Sequence, residues 1–515
     1  MTLIAFIAIL MAGGILAWIA ARWHEGASRW IALTAVSVNL LWTVAIWMKH
    51  GPSGSSLMEE WIIRYDYPWI DRFGIGISVA LDGLSLVLLT LTFFLGIVSV
   101  LTSWREIRYR TGFFHFNLLW VLAGITGVFV VMDLFLFYFF WEVMLIPMYF
   151  LIGIWGHENR RYAAVKFFVF TQASGLMMLL AILGLYFIHG QNTGTYTFDY
   201  FEWLTATFPD ATGRWLMLGF LAAFIVKLPV VPFHSWLPDA HSQAPTAGSL
   251  ILAGLLLKTG AYGMLRFVLP LFPHAALEFS YTAMALGVFG ILYGAVLAYG
   301  QTDLKRLVAY TSVSHMGFVI LGVFSFNQLA LQGVVMQLVA HGLSTGALFI
   351  VAGSIYERVH TRDITAMGGY WTKTPFLGTV SMVFVMASLG LPGLANFVAE
   401  FLILNGAWKT DALLAVLASV GLVLAMAYSL RIMQKVFFGP MKNHNLILPD
   451  LTMREKIMLV PMVVLAITLG LFPQYVLQTS KRTVTHILEV VSGGPVAGNP
   501  IGSEGFPTKA ISDEQ

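Results

Sequence analysis

Gly219-Phe220-Leu221-Ala222-Ala223-Phe224-Ile225-Val226-Lys227-Leu228-Pro229-Val230-Val231-Pro232 sets a lysine deep in hydrocarbon-like sequence, directly before two prolines. An isolated charge in lipid is expensive, so such a residue marks a functional site by default. Two more stand in similar runs: Lys258, and the carboxylate Glu142. A chain that keeps three ionisable groups in apolar spans is expected to move protons or ions.

Working outward, 58% apolar residues against 11% charged, with a mean hydropathy of +0.79 over 515 residues, leave too little polar surface for a water-soluble fold. Barrel strands would run to about ten residues in strict alternation, whereas the apolar runs here reach about 20 residues and call for helices. The expected fold is an all-α integral membrane protein of about 14 transmembrane helices. The spans fall near 2–20, 30–48, 77–102, 112–131, 133–154, 164–188, 213–236, 244–270, 279–300, 304–325, 328–356, 375–408, 411–438 and 457–475. The first has no cationic start, so it is expected as an uncleaved helix although Ala20-Ala21 could be read as a cleavage site.

Cysteine is absent, which removes disulfides, thiolate chemistry and cysteine-ligated clusters. No Gly-rich phosphate loop precedes a helix and no HExxH pair occurs among the 13 histidines, so nucleotide and metal sites have no motif. The net charge of +3 is dispersed, which gives a nucleic-acid role no basis. Any redox chemistry is expected in other chains.

Cations set the orientation. Loops after odd-numbered spans hold the larger share of the 29 Lys and Arg, among them Arg105, Arg108, Arg110, Arg160, Arg161, Lys305, Arg306, Arg358 and Arg362. By the positive-inside rule these loops are cytoplasmic and both termini face the other side.

Spans 4–8 and 9–13 are five each, and an odd number forces the second set upside down relative to the first, the pattern of inverted-repeat transporters. Gln172-Ala173-Ser174-Gly175 on span 6 is echoed by His341-Gly342-Leu343-Ser344 on span 11. Each precedes a proline-interrupted span, with Pro229 and Pro232 in span 7 and Pro392 in span 12. Broken helices are tolerated where protein or a wet cavity satisfies the freed carbonyls, so the two breaks point to the pathway. The expected organisation is an N-terminal three-helix segment (1–110), two five-helix repeats (111–272 and 273–440), a C-terminal helix with its flank (441–492) and a disordered tail (493–515).

At 1.5 Å per residue, Glu142, Lys258, His315 and His341 lie roughly 13–21 Å into their spans, near the midplane, with Lys227 similarly central and Glu400 in the outer half. Asp133 reads as a helix cap near water, Asp303 with Lys305 and Arg306 as the anchor of a cytoplasmic helix start. Asp239 and His241 sit where span 7 meets the cytoplasm, with local hydrogen bonding weighed above proton uptake.

Several segments together carry a resemblance: Val226-Lys227-Leu228-Pro229, the run Pro232-Phe233-His234-Ser235-Trp236-Leu237-Pro238-Asp239-Ala240-His241-Ser242-Gln243-Ala244-Pro245, Leu257-Lys258-Thr259, Trp141-Glu142 and Thr311-Ser312-Val313-Ser314-His315-Met316-Gly317. The chain resembles, over nearly its whole length, the antiporter-like subunits of respiratory complex I. Trp371 and Phe397-Val398-Ala399-Glu400-Phe401 narrow this further, because chains L and N of that family more often carry lysine where Glu400 stands. The resemblance implies a proton-translocating membrane subunit of an NADH–quinone oxidoreductase, driven by quinone reduction elsewhere. It implies proton-transfer roles for Glu142, Lys227, Lys258, His315, His341 and Glu400, and no cofactor in this chain. FMN and iron–sulfur clusters would reside in partner subunits, quinone and NADH would act only through them, and the partners would include chains L and N and membrane lipid. The location implied is the bacterial inner membrane. An Mrp-type cation/proton antiporter subunit and a non-conducting membrane spacer are the alternatives.

Overall fold

A computed structural model describes residues 2–50, 61–206, 208–442 and 448–493. The expected tail therefore lies, from 494 onward, outside the described residues. The elements are α1 (Thr2–Ala20), α2 (Glu25–His50), the strands β1 (Ile63–Ile70) and β2 (Ile75–Leu81), α3 (Gly83–Glu106), α4 (Thr111–Val130), α5 (Leu134–Trp155), α6 (Arg160–Thr193), α7 (Tyr200–Trp203), α8 (Asp210–Lys227) and α9 (Trp236–Gln243). They continue with α10 (Thr246–Leu271), α11 (Pro273–Gly300), α12 (Leu304–Val323), α13 (Gln328–Val359), α14 (Pro375–Ser388), α15 (Ala395–Thr410), α16 (Ala412–Phe437), α17 (Met453–Leu471) and α18 (Gln474–Val491).

Among the described residues, 11 helices are long and apolar enough to cross a membrane, or 12 if α17 and α18, bent by 66°, are one span. The remainder of the expected fourteen are the two interrupted ones. Span 7 is α8 plus α9, parted at Leu228–Ser235, and span 12 is α14 plus α15, parted at Leu389–Leu394. Each of the stretches 111–272 and 273–440 thus holds four continuous long helices and one broken one.

Helix starts are fixed by side-chain caps. Asp82 accepts from Ser85 N, Asp303 from Arg306 N and Asp411 from Leu414 N, and Thr452 with Glu455 forms a capping box on α17. Asp133 caps α5 as the sequence suggests, but it is buried rather than near water, because it also accepts from Gly76 N at 3.0 Å. Close helix crossings rest on small residues. A Cβ on Gly317 of α12 would come within 2.6 Å of Gly287 O on α11, so these two helices meet backbone to backbone.

Two elements depart from the expectation. Residues 63–81 form an antiparallel hairpin, turned at Gly74 (φ 63°) and leading straight into α3, where the sequence reading started a span at 77. After α17 the chain bends into α18, which buries Val476, Ser480, Val484 and Ile487 and exposes Lys481 and Arg482, so it lies along the helix ends instead of spanning. The hairpin end of the bundle and the end carrying Arg160, Lys305 and Arg362 are its two faces. Large apolar side chains such as Leu16, Leu41, Leu180, Val296 and Val423 are exposed around the flank, as a hydrocarbon solvent requires.

Candidate functional site

Four of the six expected residues form a connected buried row. Lys258 is fully buried on α10, and its Nζ lies 2.6 Å from His341 Nδ1 on α13 and 2.5 Å from the Ala253 carbonyl oxygen. Ala253 belongs to a π-helical turn, Leu252–Leu256, whose altered hydrogen bonding leaves that carbonyl free for a side chain five residues on. With Lys258 protonated, His341 Nδ1 is the acceptor and its Nε2 carries the hydrogen.

From His341 the row passes to His315 on α12, the ring centroids 5.8 Å apart. His315 Nδ1 lies 2.9 Å from Glu400 Oε1 on α15, while its Nε2 lies 3.2 Å from Ser388 Oγ and 3.3 Å from the Tyr428 hydroxyl. Gln337 donates to Glu400 Oε1 at 3.4 Å. His315 and Glu400 are 1% and 2% exposed, so this pair is out of solvent and lipid alike.

The other two are set apart. Lys227, the last residue of α8, is 1% exposed and its ammonium has no hydrogen-bond partner among the described residues. It lies 4.9 Å over the Trp141 ring and 5.8 Å over Phe167, contacts that favour a cation without neutralising it. Glu142 is half-buried on α5 and accepts from Gln172 of α6 at 3.4 Å. No salt bridge joins Glu142 to Lys227 among the described residues, so the carboxylate and the ammonium stand apart in this structure. The echo noticed on span 6 acquires a location here, since a Cβ on Gly175 would come within 3.1 Å of Glu142 Oε1.

Towards the basic face, His241 on α9 is wholly buried, stacked on Phe349 at 4.5 Å, and neither ring nitrogen has a partner among the described residues. It is more enclosed than its place at a span end suggested. Asp239 is instead held locally, 2.7 Å from Lys166 and 3.1 Å from Arg306. Asp303 anchors α12 as expected and pairs with Arg362 at 3.1 Å.

Sequence reading missed Ser388, Tyr428 and Gln337, which orient the His315–Glu400 pair; single hydroxyls and amides in apolar helices carry no pattern. It also passed over a second buried ion pair, Arg266 with Asp82, for which a signal existed: Arg266 stands inside an apolar span. Among the described residues no group of three or more His, Cys, Asp or Glu is arranged to hold a metal ion.

A long-helix bundle with two broken helices and a buried Lys–His–His–Glu row defines an antiporter-like membrane subunit, and residues 131–426 match the family described as NADH:quinone oxidoreductase/Mrp antiporter, TM. The chain is 54% identical over 484 residues to NADH-quinone oxidoreductase subunit M of Pseudomonas aeruginosa, covering 92% of this chain and 94% of that one. It belongs to the subunit M family of NADH-quinone oxidoreductases. Among solved structures it is similar to a chain of respiratory complex I from Thermus thermophilus with bound NADH, at a TM-score of 0.86 and 28% identity over 95% of this chain and 99% of that one. A chain of the Mrp complex from Dietzia shares the fold, with a TM-score of 0.83 at 20% identity over 95% and 98%.

Proposed function

We propose that this chain translocates protons as the M-type membrane subunit of an NADH–quinone oxidoreductase, through Glu142, Lys227, Lys258, His341, His315 and Glu400. The observation that carries the reading is the buried succession Lys258, His341, His315, Glu400, hydrogen-bonded at both ends and joined in the middle by an edge-to-face ring approach of 5.8 Å. An imidazole can accept and release a proton near neutral pH, with a reference pKa of about 6.5, so two histidines between an amine and a carboxylate suit a relay. In this reading His341, which lies against Lys258, precedes His315, which lies against Glu400.

Lys227 loads when Glu142 approaches it and gives up its proton when the pair is apart, the arrangement seen here. Opposite charge favours the ionised lysine and burial disfavours it, so a movement of either group shifts its proton affinity. Glu142 is partly exposed on a membrane-spanning helix, which supports a neighbouring subunit covering it and biasing the pair. In this reading the partners are the other complex I subunits, with chains L and N alongside and lipid around. FMN, iron–sulfur clusters, quinone and NADH belong to those partners. The stretches 111–272 and 273–440 act as inverted five-helix units, flanked by 1–110, 441–492 and the tail 493–515. The basic face lies in the cytoplasm of a bacterial inner membrane and both termini lie in the periplasm.

The test is Lys227→Met in the assembled complex, with NADH:quinone turnover and proton uptake into membrane vesicles measured together. Assembly should persist while coupled proton movement falls. Normal pumping would favour a structural spacer, and Na⁺/H⁺ exchange by the purified chain alone in liposomes would favour a stand-alone antiporter.

A further inference from the structure

Lys258, Tyr262 and Arg266 recur at every fourth residue of α10, one line of side chains running from mid-bundle towards the hairpin face. At 1.5 Å per residue Tyr262 lies about 6 Å and Arg266 about 12 Å beyond Lys258. The line is polar throughout. The Tyr262 hydroxyl donates to Phe129 O at 3.1 Å and lies 3.5 Å from Ser85 Oγ, and Arg266 pairs with Asp82. Both ends of that pair are buried, 3% and 1% exposed. A second π-helical turn, Met264–Val268, carries Arg266 and turns it under the hairpin, where the guanidinium sits 4.7 Å from the Trp61 ring.

If Lys258 carries a mobile proton, this line is a short polar way out to the hairpin face, bypassing His341, His315 and Glu400. Something has to close it. A buried ion pair adds little net stability over apolar packing, so stability alone does not account for Asp82 and Arg266 in this place. A fixed positive charge in a narrow polar path is an effective barrier to protons and cations.

We propose that Arg266, held by Asp82 and roofed by Trp61, is an electrostatic seal that blocks direct proton release from Lys258 to the hairpin face and so forces the proton sideways towards Glu400. This rests on the proton-translocating reading above. Asp82 is a positioning residue, since it also caps α3 through Ser85 N and places its remaining oxygen on the guanidinium. The titratable groups facing Arg266 are Asp82, Tyr262 and Tyr200.

The test uses the whole complex in proteoliposomes, with passive decay of an imposed pH gradient as the readout and NADH:quinone turnover as the measure of assembly. Asp82→Asn/Arg266→Gln keeps the shape and hydrogen bonding of the pair without its charge, and should speed the decay severalfold. Asp82→Asn alone and Arg266→Lys keep the positive charge and should hold the gradient as the unaltered complex does. Adding Lys258→Met to the leaky double variant should restore tightness, because the escaping proton passes through Lys258. Should the neutral pair fail to assemble, Arg266→His supplies a titratable charge, tight when the hairpin face is acidic and leaky above a pH of about 6.5. A tight neutral pair, a leak that survives Lys258→Met, or an Arg266→His leak indifferent to pH each overturns the seal. Failure of the proton-translocating reading looks different: Lys227→Met or Lys258→Met then pumps normally, whatever the leak.

Discussion

The two broken helices solve one problem in different ways. At the first break, between α8 and α9, Leu228, Val230 and Val231 are buried, prolines interrupt the helix, and the Trp236 indole donates to the freed Val226 carbonyl at 2.9 Å. At the second, between α14 and α15, Leu391 and Pro392 are exposed and the chain turns on two glycines in the left-handed region, Gly390 (φ 79°) and Gly393 (φ 93°). The charges differ likewise. Lys227 ends its helix, where the carbonyl-rich terminus favours a cation, and has no hydrogen-bond partner among the described residues. Glu400 sits inside α15, the second segment of its broken span, tied to His315 and Gln337. One break presents a charge free to shift; the other presents a charge already bound.

The largest effect expected from that contrast is functional. Lys227→Met removes a relay with no local substitute and should cut coupled proton transfer by roughly 10²-fold, the lower range for a positioned proton-transfer group. Glu400→Gln cannot take up the relayed proton but leaves an amide that keeps His315 oriented amid Gln337, Ser388 and Tyr428, so coupled transfer should fall there too, severalfold less than at Lys227. Proton-to-electron ratios in vesicles measure both. Stability sharpens the point: breaking a closed buried ion pair costs about 3–5 kcal/mol, so an unchanged or raised unfolding temperature for Lys227→Met marks the open arrangement. Equal losses at the two positions would erase the distinction.

Next come the glycines. A Cβ in the left-handed region costs about 1–2 kcal/mol, and Gly393→Ala, with only Leu471 near the added atom, isolates that backbone term. The thermal midpoint of the detergent-solubilised complex should drop, and a neutral result would mean that the second break relaxes freely. At the first break the sensitive group is the indole instead. Trp236→Phe keeps an aromatic ring but strands the Val226 carbonyl, at about 1 kcal/mol for a lost buried hydrogen bond, with a cavity term added where the indole was larger.

The sequence made the first break legible because a lysine and two prolines stand out against hydrocarbon, and Glu142, Lys258 and Glu400 stand out for the same reason. Rise per residue gave each an expected depth. What joins them was not legible. That Lys258 meets His341 depends on a π-turn at Leu252–Leu256, and a run of Leu, Ala and Gly reads the same whether the helix is regular or bulged. The hairpin was hidden because Ile75–Leu81 is apolar enough to merge with α3 in a window of about 20 residues. The amphipathic α18 was read as a flank because such a window averages its two faces. Arg266 was different: its type and its place inside an apolar span are plain in the sequence.

The smallest effect concerns how the first break is held at its far end. His157, in the loop between α5 and α6, donates its backbone N–H to Gln243 O at 2.8 Å and sets its ring edge-on to Tyr356 at 5.1 Å. Burial, with the Lys305 and Arg362 cations close by, pushes its imidazole down to about 3. The unfolded chain takes up that proton below about pH 6.5 whereas the folded loop stays neutral down to about 3, so stability is full above 6.5 and is lost as pH falls through that interval. Acidification from pH 7.5 to 5 should therefore lower the amide protection factors across Trp236–Gln243, each rate being referred to that of the unstructured chain at the same pH. His157→Phe keeps the ring against Tyr356 and cannot titrate, so it should flatten the dependence; an identical slope in the variant would assign the acid response of this break to another group.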